Sequence, residues 1–413
     1  MRAKQIKPLY DVVVVGGGLV GASFACALAK QSSELSILVI EAVEHLASST
    51  SFDARSTALS YGSRRIYSQL GLWDGLAEAV TPIKKIHVSD RGHFGAVRLN
   101  HEELGVDALG YVAENHDLGR VLNQALEDSN TIEFLRPARI SDMQPIAAGM
   151  RLQLEGEQLA RNEIDAALLV LADGGKSKLS QKLGIHSQTK PYGQKAIISN
   201  IAFENPHNNI AYERFTDSGP LAVLPLATLE GENRAALIWT VPEQQADETL
   251  ALSDEAFLHA LQQRFGHRLG RLEKVGARFA YPLSLTVAQE QVRPGLVLLG
   301  NVAHTLHPVA GQGLNLALRD SQCLAELLAA ANAQGKALGD MAVLQNYVNA
   351  QERDQAHTID FSHYMTALFS SSQPALVWAR KLGLFSVDLI PPLKQEFAKV
   401  AMGLGDRRSV VSV

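Results

Sequence analysis

The hydrophobic positions near the amino terminus change period twice within about thirty residues. Asp11 to Val15 carries four consecutive valines, Ala22 to Lys30 has a helical pattern, and Leu35 to Ile40 is again a dense apolar run. Short apolar runs on either side of a helical pattern predict a β-α-β unit. Further along, Ala166 to Ala172 reads as a buried strand, and Leu296 to Leu299 as another. A Gly- and Pro-containing loop follows the latter and leads into a helix that runs to about Ala331. Between these lie strand-like runs separated by turn residues, in residues 84–99 and 195–243; they include Ile197 to Phe203, Leu221 to Leu226 and Ala235 to Val241. Ser253-Asp254-Glu255 then precedes the helical pattern Ala256 to Phe265, with a capping serine and acids in the first turn. Met341 to about Leu404 is helical in pattern, interrupted by Pro374 and by Pro391-Pro392.

Composition narrows the class. A chain of 413 residues has room for two or three domains, and 46% hydrophobic with 20% charged residues excludes a disordered or collagen-like chain. The formal net charge of −5 leaves no basic excess to condense on phosphates, which argues against a nucleic-acid partner. Cys26 and Cys323 fall in apolar, helix-like stretches without the neighbours that a disulfide framework or metal site needs, so a reducing compartment is expected. The first apolar run is too short for a signal-peptide core, and the longest, Ala166 to Ala172, is far below the roughly 18 residues of a spanning helix. A soluble or peripherally attached protein is expected.

The first unit carries the clearest chemistry. Its turn reads Gly16-Gly17-Gly18-Leu19-Val20-Gly21, which satisfies GxGxxG, and Glu41 ends the second strand. Gly16 permits the tight turn, Gly18 lets backbone approach a pyrophosphate, and Gly21 lets helix and strand pack closely. The helix N-terminus offers N–H groups to the anion, and Glu41 suits ribose hydroxyls. This marks a dinucleotide site without separating FAD from NAD. The run ending at Ala172 leads into Asp173-Gly174-Gly175-Lys176-Ser177, and the strand ending at Leu299 leads into Gly300 to Asn315. The second of these puts another helix N-terminus after a long loop, suited to the pyrimidine edge of a flavin, which becomes negative on reduction.

Taken in order, GxGxxG, Asp173-Gly174 and Gly300 to Asn315 resemble the flavin segments of the class A flavoprotein aromatic hydroxylases. Within that class the chain looks like the ubiquinone-biosynthesis hydroxylases. The likeness rests on Phe52-Asp53-Ala54-Arg55, Val88-Ser89-Asp90-Arg91-Gly92-His93, Glu213-Arg214-Phe215-Thr216 with Ser218-Gly219-Pro220-Leu221-Ala222, and Thr305-Leu306-His307-Pro308. These stretches span about residues 10 to 330. The resemblance implies an α/β fold with a Rossmann-type FAD-binding domain (8–83 with 100–190 and 276–335). An inserted mixed β-sheet substrate domain (84–99 and 191–275) and a helical C-terminal segment (336–413) complete it.

It also implies FAD as cofactor, NAD(P)H as electron donor, and O2 with a polyprenylated phenol as substrates of a monooxygenase working through a C4a-hydroperoxyflavin. Gly16, Gly18 and Gly21 would bind the pyrophosphate, Glu41 the adenosine ribose, and Asp173 the pyrophosphate and ribityl region. Arg55 would lie beside the flavin, as both a cofactor-binding and a catalytic residue. Pro308 would approach the reactive flavin face, and Gly311, Gly313, Leu314 and Asn315 would offer backbone groups to the ring. Two positions depart from the family. Asn301 follows Gly300 where Asp usually holds a ribityl hydroxyl, and His116 stands where a cofactor-binding Arg is common, leaving Arg120 as its substitute.

Plainer readings stand beside these. Arg55 also reads as an exposed loop arginine, and His307 as either a substrate-pocket hydrogen-bond donor or a structural histidine. His304 and His307 lack the acid or cysteine that a metal site would need. Tyr212 and Tyr281 read as packing, and no catalytic base is identifiable. An FAD-dependent dehydrogenase or oxidase, and a non-catalytic FAD-containing component of a ubiquinone-biosynthesis complex, are the competing functions. In the tail, Trp378, Leu382, Leu384, Phe385, Leu389, Ile390, Leu393, Phe397, Val400 and Met402 are interspersed with Arg380, Lys381, Lys394 and Lys399. That pattern suits docking of the tail on a membrane surface or a partner subunit to receive substrate, or a terminal helix packed on its own domain. The expected location is the cytoplasm or the periphery of the inner membrane.

Overall fold

The computed structural model describes residues 6–44, 55–91, 95–156, 159–175, 177–216, 218–308, 311–370, 383 and 385–404. Phe52, Asp53, Ala54, Gly92, His93, Lys176, Pro374, Trp378, Arg380, Lys381, Leu382 and Leu384 lie outside the described residues.

The four valines form the inner part of β1 (Leu9–Val15), the centre of an eight-stranded sheet. On one side β1 pairs in parallel with β2 (Ile37–Ile40), which pairs with β8 (Ile132–Leu135). On the other it pairs with β11 (Glu163–Leu171), then β19 (Leu296–Leu298), with β18 (Val292–Arg293) at the edge. An antiparallel hairpin, β9 (Ala138–Ile146) and β10 (Gly149–Gly156), joins at β11. Strand alternation divides the valines between two cores. Val12 and Val14 pack with Phe24 and Leu28 of α1 (Leu19–Gln31), Leu122 of α3 (Asn115–Glu127) and Leu324 of α7 (Gln312–Ala333). Val13 and Val15 share the core on the other face of the sheet with Leu152 and Leu171. Burial on both faces is why these strands are uniformly apolar.

The second sheet has nine strands. Its order is β20 (His304–Thr305), β17 (Phe279–Ala288), β12 (Ser187–Phe203), β15 (Glu232–Pro242), β14 (Gly219–Leu229), β13 (Ile210–Thr216), β5 (Lys85–Asp90) and β6 (Ala96–Asn100), with β16 (Leu272–Val275) beside β12. Trp239, Phe257, Leu261 and Phe265 fill the space between one face and α6 (Asp254–Phe265), whose N-cap Ser253 Oγ accepts from the Ala256 N–H. β17 falls within residues 276–335 and pairs with β12 from Ala288 opposite Ser187 to Phe279 opposite Ile198, so this stretch adds a strand to the second sheet. Its residues are mostly exposed or half-buried, so its sequence lacks the apolar density that marks a core strand.

A third sheet, β3 (Ser56–Ser60), β7 (Gly110–Glu114) and β4 (Val80–Ile83), bridges the two. Its Glu114 Oε1 accepts from Arg234 Nη2 of β15 at 2.5 Å, a pair with both side chains buried. α8 (Met341–Ser370) packs on α7 and also reaches β13, β14 and β18, so it ties the two large sheets together. The last helix, α9 (Pro391–Ala401), buries Ala398, and Met402 just beyond it packs with Val88, Leu99, Leu109 and Phe215. Phe385, Leu389, Ile390, Leu393 and Val400 remain exposed. Among the described residues no helix is long and apolar enough to cross a membrane.

Candidate active site

Three loops converge where β1, β11 and β19 end. Gly16 has φ +100°, and a Cβ there would sit 2.8 Å from the Ala172 carbonyl oxygen and 2.9 Å from Asp173 Cα, so only glycine lets the two loops touch. A Cβ on Gly21 would fall 2.0 Å from the Gly16 carbonyl oxygen. Gly300, at φ +70°, lies against Val20, whose Cγ1 would be 3.1 Å from an added Cβ. Gly18 is different: it caps α1, and nothing lies within 4 Å of where its Cβ would be. That open side, with the first-turn N–H groups of α1, is a cradle of the kind a pyrophosphate occupies.

Two acids border the cradle. Glu41 Oε2 accepts from the Gly17 N–H at 2.8 Å and Oε1 from the Val43 N–H at 2.9 Å, and each oxygen keeps a second lone pair. Asp173 folds its own loop, with Oδ1 accepting from the Gly175 N–H at 3.0 Å and Oδ2 from the Ser177 N–H at 2.8 Å. Arg120 is exposed on α3, 3.8 Å from Asp117, and does not border the cavity described next. The neighbouring Glu114, His116 and Asp117 bring three possible metal ligands within 4.8 Å. Arg234 on Glu114 and Arg120 on Asp117 already offset their charge, so the group is a local ion-pair network.

A cavity of about 390 Å³ separates the N-terminus of α7 from the inner face of the second sheet. One wall is Asn301, Thr305 to Pro308, Gly311, Gly313 to Asn315 and β3; the other is Ile86, Val88, Ala211, Glu213, Phe215, Ala222, Leu224 and Ile238. Phe361 and Met365 of α8 and Phe397 and Ala401 of α9 also line it. Gly311 caps α7 at φ +61°, and no side chain caps the helix start, where Gly313 and Leu314 meet this wall. The loop and helix residues expected to meet a flavin ring therefore gather around one space.

Asn315 does more than sequence reasoning assigned. Its side chain is buried, with Oδ1 accepting from the Ser60 N–H at 2.8 Å and Ser63 Oγ at 2.7 Å. Its Nδ2 donates to the Ala58 and Gly311 carbonyls at 3.0 and 2.7 Å. It pins the β3 to α2 (Tyr61–Leu70) junction to α7, leaving only its backbone to meet a ligand. Asn301 is exposed at the cavity edge.

The two histidines part company. His304 Nε2 bonds Asp320 Oδ2 at 2.9 Å deep in the core. His307 is 1% exposed, neither ring nitrogen has a partner among the described residues, and burial pushes its pKa down to about 4, so it is neutral at pH 7. The Tyr192 ring meets it edge-on at 5.2 Å. Pro308 lines the cavity beside it, whereas Arg55 is exposed, with Nη1 donating to the Tyr281 hydroxyl at 3.3 Å, and lies just outside the lining. Tyr212 packs on Phe265, ring centroids 5.4 Å apart.

Glu213 belongs to a stretch that carries the family likeness, but the sequence assigns it no role at the site. It lines the cavity from β13, and burial pushes its carboxyl up to about 7. A glutamate inside an alternating strand reads as a solvent-facing position, so no local pattern marks it.

The sequence matches the FAD binding domain family over residues 9–362. Ubiquinone hydroxylase UbiL of Rhodospirillum rubrum is 36% identical over 394 residues, covering 95% of this chain and 89% of that protein. The 3-demethoxyubiquinol 3-hydroxylase of Escherichia coli is 29% identical over 395 residues, covering 95% and 98%. Among solved structures, p-nitrophenol 4-monooxygenase PnpA from Pseudomonas putida shares the fold with a TM-score of 0.79 at 17% identity, covering 98% of this chain and 100% of that one.

Proposed function

The chain belongs to the flavoprotein monooxygenases built on the FAD binding domain, the family of these ubiquinone hydroxylases, and from that membership we propose that it hydroxylates the ring of a polyprenylated phenol in ubiquinone biosynthesis. Among such phenols, the stretches Glu213 to Thr216 and Ser218 to Ala222 favour one of the 2-polyprenyl-6-methoxyphenol type. The observation that carries this reading is the cavity, apolar on its sheet side apart from Glu213 and bordered opposite by the α7 N-terminus.

In this reading the cradle at Gly16, Gly18 and Gly21 holds the FAD pyrophosphate, and Glu41 uses its spare lone pairs for the ribose. Asp173, Gly300 and Asn301 flank the ribityl chain, while Gly311 lets the loop approach the ring and Gly313, Leu314 and Asn315 offer it backbone groups. Bound FAD, reduced by NAD(P)H, supplies the electrophilic oxygen drawn from O2. The protein's work is placement. The largely aliphatic sheet face excludes water and lays the phenol ring against Pro308, and His307, neutral and without a partner among the described residues, exchanges a hydrogen bond with a ring substituent. Arg55 acts from the cavity mouth, and Arg120 takes the role of the absent helix arginine.

The prenyl chain leaves the cavity past Phe361, Met365 and Phe397, toward the end where Leu389, Ile390 and Leu393 are exposed. This supports substrate loading from the inner-membrane surface by a protein of the cytoplasm, with a lipid-carrying partner subunit as the other source. Incubating the FAD-loaded protein with NADPH, O2 and 2-prenylphenol tests the activity. A hydroxylated phenol supports the reading; NADPH consumption without product supports an oxidase or dehydrogenase, and neither supports a non-catalytic role.

A further inference from the structure

We propose that Glu213 is a catalytic residue that takes the phenolic proton of the substrate as the ring is hydroxylated. The inference rests on the reading above and supplies the base that reading lacks.

The register fixes where Glu213 points. On β13, Ala211, Glu213 and Phe215 alternate onto the cavity face, opposite Ile86 and Val88 of β5 and Ala222 of β14. Glu213 is thus a carboxyl in a field of aliphatic side chains, the only acid among the described lining residues. It makes no hydrogen bond or ion pair with another described residue. Its side chain is half-buried and borders the cavity. The neighbouring elements present no opposing charge. β5 and β14 contribute aliphatic groups, α8 Phe361 and Met365, α9 Phe397 and Ala401, and the facing loop the neutral His307. Tyr212 also borders the cavity, with its ring packed on Phe265 and its hydroxyl kept neutral by burial, and Asp90, further along β5, lies outside the lining and interacts with Arg214.

An ionisable group kept at such a cost needs a partner absent from the chain itself. A phenol suits it: the hydroxyl donates to the carboxylate, and the rest of the ring and prenyl chain match the aliphatic wall. Burial brings the carboxyl to about 7, against roughly 10 for a phenol, so ground-state transfer is unfavourable by about a thousandfold and the proton moves only as the ring reacts. The balance is simple. The phenol O–H bond breaks, its proton passes to a Glu213 oxygen, and the electron pair left on the phenolic oxygen pushes density to the ortho and para carbons. The inserted oxygen would come from O2 reduced at the expense of NAD(P)H, the O–O bond breaking as the C–O bond forms; the proton lost from the attacked carbon as the ring rearomatises would go to the departing oxygen, released as water, and Glu213 returns its own proton to the phenolic oxygen, ending as the carboxylate.

The test uses the FAD-loaded protein, with 2-prenylphenol as substrate and probe. Glu213→Gln should keep its flavin and lose about a hundredfold in kcat with KM within a few-fold, and the rise of kcat through about pH 7 should disappear. Glu213→Asp should keep that inflection at reduced rate. A second arm needs no turnover: 2-prenylphenol binding, read from the flavin absorbance, should tighten above about pH 7 in the parent and stay flat in Glu213→Gln. A Gln variant with parental kcat and inflection, or with the parent's pH-dependent binding, overturns the proposal. A parent that forms no hydroxylated product contradicts the hydroxylase reading instead, and the binding arm still reports on Glu213.

Discussion

Gly18 and Gly21 lie three residues apart in one motif, yet they answer to different constraints. Gly18 has open space where a side chain would go, whereas a Cβ at Gly21 would strike the Gly16 carbonyl at 2.0 Å. Gly18→Val should therefore fold with a near-parental melting temperature but purify without FAD, and Gly21→Ala should be unstable even as apoprotein. A valine variant retaining full flavin would mean the cofactor lies elsewhere. The two asparagines separate in the same way. Asn301→Leu should fold normally and weaken FAD binding by about 1 to 3 kcal/mol, through loss of a ribityl partner. Asn315→Leu orphans buried groups at Ser60, Ala58 and Gly311 and should cost at least ~3 kcal/mol in denaturant unfolding. Equal FAD dissociation constants for Asn301→Leu and the parent would remove Asn301 from the cofactor site. His307 adds a pH dependence. The unfolded chain takes up its proton below about 6.5, while the folded protein resists until about 4, so stability falls as pH drops through that window, by about 3 kcal/mol. His87 is depressed by burial and pulls in the same direction. Denaturant titrations between pH 4 and 7 should show a flatter acid limb for His307→Gln than for the parent. At this scale the motif glycines were legible because their spacing is contiguous in sequence. The lone carboxyl of Glu213 and the four bonds of Asn315 were not, since each depends on partners or neighbours far along the chain.

Among the elements, β1 and β11 were readable because parallel strands buried on both faces are unbroken apolar runs, and α6 because Ser253 and two acids announce its start. β17 hid for the opposite reason. Its side chains are mostly half-buried or exposed, and what fixes its place is pairing with β12, about ninety residues earlier in the chain. α7 begins at Gln312, inside what reads as loop, because Gly311 in the left-handed region supplies a cap that no side-chain signal marks. The junction between sheets rests on a buried pair, Arg234 with Glu114. Arg234→Met leaves Glu114 buried without its guanidinium and should cost about 3 to 5 kcal/mol. Adding Glu114→Gln should restore part of that loss in a double-mutant cycle; an additive pair would show that the bridge does not couple the sheets.

For the molecule as a whole, the carboxy-terminal segment is where sequence left two readings open, packed helix or docking surface, and its described part has features of both. Ala398 and Met402 are buried and Phe397 lines the cavity, so deleting the helix would expose Phe215 and Leu109 and open the site. Point changes separate the roles better than truncation. Leu389→Ser with Leu393→Ser, both on exposed positions, should leave melting temperature and turnover of 2-prenylphenol nearly unchanged while lowering turnover of a long-chain polyprenylphenol presented in anionic vesicles. Equal loss on both substrates would argue against a loading surface. The central claim is that the cavity between the flavin-binding loops and the second sheet inserts oxygen into a prenylated phenol. The most direct test is turnover under isotopically labelled dioxygen in unlabelled water, with the product ring analysed by mass spectrometry. One labelled oxygen atom in the hydroxylated ring is the predicted result; a product labelled only from water, or NADPH oxidation with all label in peroxide and none in the ring, would contradict it.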